Sequence, residues 1–154
     1  METVFRDVQV SQIASRLGIT KISVTSVLTE YFNYLIEKLE NGKTIKILNI
    51  CYLKVGGQEQ KNHETLAYIS NEIGKKVGVS QSVAFRILTS FEEYLIRDLQ
   101  RMYKYSIRSL VRIRLEKNYK GEFKVRTNKS TRYNGRDIYV TTLGSFKRKV
   151  ELVA

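Results

Sequence analysis

The sequence predicts an α+β fold in which a unit of two helices followed by strands occurs twice in one chain. Three observations predict it. Offsetting the 154-residue chain by 60 positions aligns Ile13 to Leu39 with Ile73 to Leu99 without a gap, and eight of the 27 positions are identical: Ile13/Ile73, Gly18/Gly78, Leu28/Leu88, Thr29/Thr89, Tyr34/Tyr94, Leu35/Leu95, Ile36/Ile96 and Leu39/Leu99. Within each copy, apolar residues recur at three- and four-residue spacing on either side of a glycine, as two amphipathic helices joined by a tight turn require. Beyond each helical segment the apolar residues switch to alternation, the period of a strand.

In the first copy, Asp7 is placed to cap a short helix with Val10, Ile13, Ala14 and Leu17 on its inner side. Gly18 ends that helix, because glycine enters the left-handed conformation without steric cost. Thr20 caps the second helix. Val24, Val27, Leu28, Tyr31, Leu35 and Leu39 form its apolar stripe, read as core. NGKTIKILNICYLKV, Asn41 to Val55, then alternates at Ile45, Ile47, Leu53 and Val55 as a strand pair over helices would. It stops at Gly56-Gly57. The second copy repeats the plan with Gly78, Ser80, Ile87, Leu88, Phe91, Leu95 and Leu99. From Tyr103 to Lys117 the chain alternates again, with Tyr105, Ile107, Ser109, Val111, Ile113 and Leu115 on one side and Arg108, Arg112 and Arg114 on the other. VRTNKSTRYNGRDIYV, Val125 to Val140, reads as a basic hairpin, since Asn134-Gly135 tolerates the positive φ of a tight hairpin turn. GSFKRKVELV closes the sequence as a short helix or strand. The resulting division is a first copy over 1–57, a linker over 58–65 and a second copy over 66–154.

Charge placement is more informative than its total of +12. Residues 1–60 carry 7 basic and 6 acidic side chains and residues 61–99 carry 5 of each, whereas residues 100–154 carry 15 basic against 4 acidic. A solubilising charge spreads over a surface. A charge gathered in the last third suggests a face that meets a polyanion. No apolar run approaches the length of a membrane span, and METVFRDVQV lacks a signal-peptide apolar core. The expected setting is therefore the cytoplasm, or a particle assembled there. The lone Cys51 sits in an apolar run and reads as a small buried hydrophobe.

GITKISVTSVLTEYFNYL resembles the turn into the second helix of the bacterial HU and integration host factor (IHF) family. NGKTIKILNICYLKV is similar to that family's strand pair in length, with Ile50 and Leu53 at its aromatic positions. The second copy resembles the family through a basic β-arm, and the resemblance runs from about Asp7 to Val150. It implies two HU/IHF-like copies whose half-cores close on each other, either as a pseudo-dimer within one chain or by copy-to-copy pairing of two chains. It also implies a DNA grip by β-arms entering the minor groove, with a proline wedge near each tip. The sequence departs from that pattern. The first copy has no arm, the second has one candidate arm over Tyr119 to Thr142, and Arg132 followed by Tyr133 stands where the proline would be, in a chain with no proline. A second alignment lays Asn134 to Lys149 over the first copy's strand pair, which makes Met102 to Tyr133 an insertion.

Nothing in the sequence points to catalysis. His63 is the only histidine, no cysteine pair or phosphate loop is present, and the neighbouring Glu92 and Glu93 diverge by about 100° on a helix, reading as a solvated face. The expectation is a protein without enzyme activity, cofactor or metal. Two roles compete. The first is an architectural, histone-like protein that binds DNA with little sequence preference. It would use the backbone-seeking cations Arg108, Arg112, Arg114, Lys117, Lys120, Lys124, Arg126, Lys129, Arg132, Arg136, Lys147, Arg148 and Lys149. The second is a virion structural protein of a tailed phage, a head–tail connector, neck or tail-ring component that uses the IHF-like fold for protein–protein assembly. The partners expected are DNA, further copies of the chain or neighbouring structural proteins, with no small-molecule substrate and no membrane.

Overall fold

The computed structural model describes residues 7–49, 51–55, 60–61, 64–100, 105–107, 111–117, 123–127, 132–133 and 136–142, with side chains placed at 9–49, 51–54 and 64–97. Four helices and a set of strands make an α+β architecture. Helix α1 (Asp7–Leu17) and helix α2 (Lys21–Glu40) lead into strands β1 (Lys43–Ile47) and β2 (Cys51–Val55). A two-residue strand, β3 (Gln60–Lys61), precedes helices α3 (Leu66–Val77) and α4 (Gln81–Gln100). Strands β4 (Tyr105–Ile107), β5 (Val111–Lys117), β6 (Phe123–Thr127), β7 (Arg132–Tyr133) and β8 (Arg136–Thr142) follow.

The two helix pairs are built alike. Gly18 and Gly78 take φ of 66° and 79°, the left-handed turn that ends α1 and α3. The N–H of Ser23 donates to Thr20 Oγ1 at 3.2 Å, and the N–H of Val83 donates to Ser80 Oγ at the same distance, so each long helix has the hydroxyl cap expected of it. Thr65 caps α3 in the same way, accepting from the N–H of Tyr68. Asp7 is the first residue of α1 rather than the residue before it.

Packing between the pairs is crosswise. The short helix of each lies against the long helix of the other, α1 on α4 and α3 on α2, and the two long helices also touch. One apolar cluster therefore spans both, taking in Ile13, Leu28 and Leu35 from the first pair and Ile73, Leu88 and Leu95 from the second. Phe32 on α2 meets Phe91 on α4 edge-to-face, with ring centroids 6.0 Å apart. Under the 60-residue offset these positions correspond to Glu92 and Tyr31, which are themselves near enough to interact electrostatically. At the surface, Arg16 of α1 pairs with Glu93 of α4 at 2.6 Å.

The strands form two sheets, ordered β3-β1-β2-β8-β7 and β4-β5-β6. β1 and β2 are an antiparallel hairpin with Ile45 opposite Leu53 and Ile47 opposite Cys51, all four fully buried. The segment expected as a linker contributes β3, which runs parallel to the start of β1. The larger difference concerns the arm. A single hairpin over Tyr119 to Thr142 was the expectation, but its two parts, though they lie close together, share no ladder: β6 pairs with β5, and β8 pairs antiparallel with β2, from Cys51 opposite Thr142 to Val55 opposite Ile138. The reason is the edge of β2. Cys51 and Leu53 are buried in the core, and an apolar strand with an open ladder of N–H and C=O groups is stabilised by a partner of matching alternation. Ile138, Val140 and Thr142 supply that alternation. Each helix pair is thus followed by a three-stranded antiparallel arrangement, β1-β2-β8 for the first and β4-β5-β6 for the second. Tyr133 and Arg136 are register partners, which leaves two residues between β7 and β8. Asn134 and Gly135, the proposed closing segment GSFKRKVELV, Gly56-Gly57 and His63 lie outside the described residues.

Candidate nucleic-acid interface

Strands β5 and β6 hold the largest group of the candidate cations. Side chains alternate across a strand, so the register divides this sheet by parity. Arg112, Arg114 and Glu116 of β5 share one face with Lys124 and Arg126 of β6, because Arg114 is opposite Arg126 and Glu116 opposite Lys124. The other face takes positions 111, 113, 115, 123 and 125, occupied by Val, Ile, Leu, Phe and Val. Lys117, opposite Phe123, has the parity of that apolar face at its end. Arg114 opposite Arg126 is an unfavourable pairing for a sheet by itself, since like charges directly across a ladder destabilise it.

Other candidates are placed elsewhere. Arg132 on β7 is opposite Asp137, and Arg136 on β8 is opposite Tyr133, both in the sheet over the first helix pair. The register thus places Arg112, Arg114, Lys124 and Arg126 in one sheet and Arg132 and Arg136 in the other. Arg108, Lys120, Lys129, Lys147, Arg148 and Lys149 lie outside the described residues.

Strands β1 and β2 contribute positions that charge counting missed. On β1 and β2 the residues out of phase with buried Ile45, Ile47, Cys51 and Leu53 are Lys46, Tyr52 and Lys54. Lys46 is exposed, Tyr52 is 40% exposed and Lys54 is half-buried. Their signal was the strand alternation itself. It was hidden because the first 60 residues carry almost no net charge.

Two titratable groups sit under this sheet. Tyr31 is buried, and burial pushes its phenol above the ordinary range. Its hydroxyl accepts from the N–H of Leu48 at 2.9 Å and donates to the Lys46 carbonyl at 3.5 Å, which holds the turn after β1. Cys51 is buried, as expected, and burial pushes its thiol up to about 12. Glu92 corrects the reading of a solvated acidic pair. Glu93 is exposed on its ion pair with Arg16, but Glu92 is buried and its Oε2 accepts from Asn49 Nδ2 at 3.4 Å. The 100° step between neighbours on α4 carries Glu92 under the β1–β2 turn, a contact no local pattern announces.

Among the described residues no group of His, Cys, Asp and Glu side chains is arranged to hold a metal ion, and no helix is long and apolar enough to cross a membrane. No family model, curated protein or solved structure matches the chain.

Proposed function

We propose that the chain is a single-chain tandem of two HU/IHF-like halves and serves as a non-enzymatic architectural protein that binds the DNA backbone with little sequence preference. Support for the tandem comes from the repeated glycine turn and hydroxyl cap, the crosswise helices and the three-stranded arrangement after each pair. The observation that carries the DNA reading is the basic face of β5 and β6. Arg112, Arg114, Lys124 and Arg126 share it with one acidic residue, and it sets Arg114 directly against Arg126. A phosphate backbone relieves that repulsion and releases its own counterions on contact, so affinity comes from charge rather than from base edges. With no proline to wedge between base pairs, the grip works by contact along the backbone.

The test is fluorescence anisotropy of duplex DNA titrated with the full chain across salt. The expected log–log slope is about −0.9 for each phosphate engaged. Replacing Arg112, Arg114 and Arg126 together by Ala weakens binding on unrelated sequences about equally and lowers the slope magnitude by about 3. Salt-independent binding, or none, refutes the reading. Ring formation by the chain in the absence of DNA would then favour the virion-assembly role.

A further inference from the structure

We infer that the outer face of β1 and β2 is a stacking platform for an unpaired nucleic-acid base, with Tyr52 as its surface and Lys46 and Lys54 meeting the flanking phosphates. The inference rests on the nucleic-acid reading above and adds a second site and a substrate class to it: strand with accessible bases rather than intact duplex.

Strand alternation produces the platform. Cys51 and Leu53 are buried in the core, so Tyr52 between them stands on the far side, where it is 40% exposed. Lys46 is its direct partner across the hairpin, and Lys54 lies two residues along the same strand on the same face. On the other side of β2, position 141 (Thr) is opposite Tyr52 and position 139 (Tyr) is opposite Lys54, so lysine and tyrosine positions alternate over the middle of the sheet. The acidic position of this parity on β8, Asp137, is opposite Arg132. Toward the start of β1 the same face closes, since Thr44 is buried, and the open part is the row of Lys46 and Tyr52. Four large apolar or aromatic side chains are exposed among the described residues, Ile22, Tyr52, Tyr68 and Phe85. Tyr52 alone of these belongs to a sheet and is flanked by two lysines on its own face.

The strand beside Tyr52 is also braced from beneath. Tyr31 hydrogen-bonds the Lys46 carbonyl and the Leu48 N–H from beneath, fixing the end of β1 and the turn into β2. A preorganised aromatic face loses little freedom when a base settles on it. Every base has a π face, so stacking is tolerant of sequence, and two nearby ammonium groups suit the phosphates on either side. Bases within a duplex are already stacked on one another and do not offer that face.

The chain contains no tryptophan, so Tyr52→Trp places its one tryptophan, which can be excited selectively over tyrosine, at the site. The full-length variant is titrated with oligo(dT), with a duplex of the same length and with inorganic polyphosphate of matched charge, alongside Tyr52→Ala and Tyr52→Phe measured by anisotropy. The expected result is quenching of Trp by oligo(dT) but not by polyphosphate. Tyr52→Ala should lose at least about fivefold in oligo(dT) affinity, while Tyr52→Phe stays within about twofold of the parent. Duplex affinity should stay within about twofold for both variants. Thermal melting checks that each variant folds, and Tyr52→Phe keeps the test open should Tyr52→Ala fail to. Duplex binding without oligo(dT) binding, equal losses on both nucleic acids, or quenching by polyphosphate as strong as by oligo(dT) overturns the platform and leaves the basic sheet standing. Binding to neither nucleic acid overturns both.

Discussion

Tyr31 shows how much of the fold can depend on one hydroxyl. Leu48 has φ of 47°, a left-handed conformation that costs a residue with a side chain about 1–2 kcal/mol. Two things hold it there: its side chain is buried, and its N–H is satisfied by the Tyr31 hydroxyl. Tyr31→Phe leaves that N–H without its acceptor in a buried site, and is expected to lower stability by about 1–3 kcal/mol in urea denaturation. A loss under about 0.5 kcal/mol would show that the turn does not need the bond. Cys51 makes a pH prediction. Burial raises its folded pKa to about 12, above the ordinary thiol value of 9.0, so the folded state keeps a proton that the unfolded chain gives up. That contribution is complete below about pH 9 and is lost as pH rises from there toward the folded value. Burial acts on the Tyr31 phenol in the same direction, but only above its ordinary pKa of 10. A Cys51→Ala variant, compared by urea denaturation between about pH 8 and pH 10, should therefore lose less stability over that interval than the parent. Parallel curves for the two proteins would remove Cys51 from the account.

At the scale of elements, the helices were legible and the strands only in part. Each helix pair announces itself locally, through Gly18 and Gly78, the hydroxyls of Thr20 and Ser80, and stripes such as Val24, Val27, Leu28 and Tyr31 that need no distant partner to be recognised. The β1–β2 hairpin was legible for the same reason. The destination of β8 was not, because Thr142 pairs with Cys51 across most of the chain and alternation says only that a strand exists, not which edge receives it. The same ignorance hid part of the candidate site. Net charge pointed to Arg112, Arg114 and Arg126, whereas Lys46 and Tyr52 became visible only once β1 and β2 were seen with one face in the core. The role of β8 is testable. Val140 sits mid-strand opposite Leu53, so Val140→Pro, with its φ locked and no backbone N–H, disrupts the pairing of β8 with β2. The expected outcome is a lower melting temperature together with concentration-dependent association in size-exclusion chromatography with light scattering, as the uncovered edge of β2 finds other strands. A variant that melts like the parent and stays the same size would mean that β8 does not protect that edge.

For the whole molecule, the decisive feature is that neither half owns its core. α1 rests on α4, α3 rests on α2, and β8, the strand paired with β2, comes from beyond the second helix pair. Two successive helix pairs can form domains that fold separately, joined by a tether, and the segment 58–65 between them is of a length to allow it. The packing argues for a single cooperative unit instead. Removing one helix pair would expose the inner faces of Leu28, Tyr31 and Leu35 on one side or Ile87, Leu88 and Phe91 on the other, all at or near complete burial. Burying large apolar side chains contributes about 1.5–3 kcal/mol each, so either half alone forfeits more than the few kcal/mol by which a small domain is stable. The chain should accordingly unfold in one transition, with circular dichroism and calorimetry coincident and the calorimetric enthalpy equal to the van 't Hoff value. Leu35→Ala in the first half and Leu88→Ala in the second should each shift that one transition, by about 2–5 kcal/mol, without splitting it. Two resolved transitions, or a variant that moves only half of the signal, would mean that the copies fold independently, and the crosswise helices would lose their role as the bond between them.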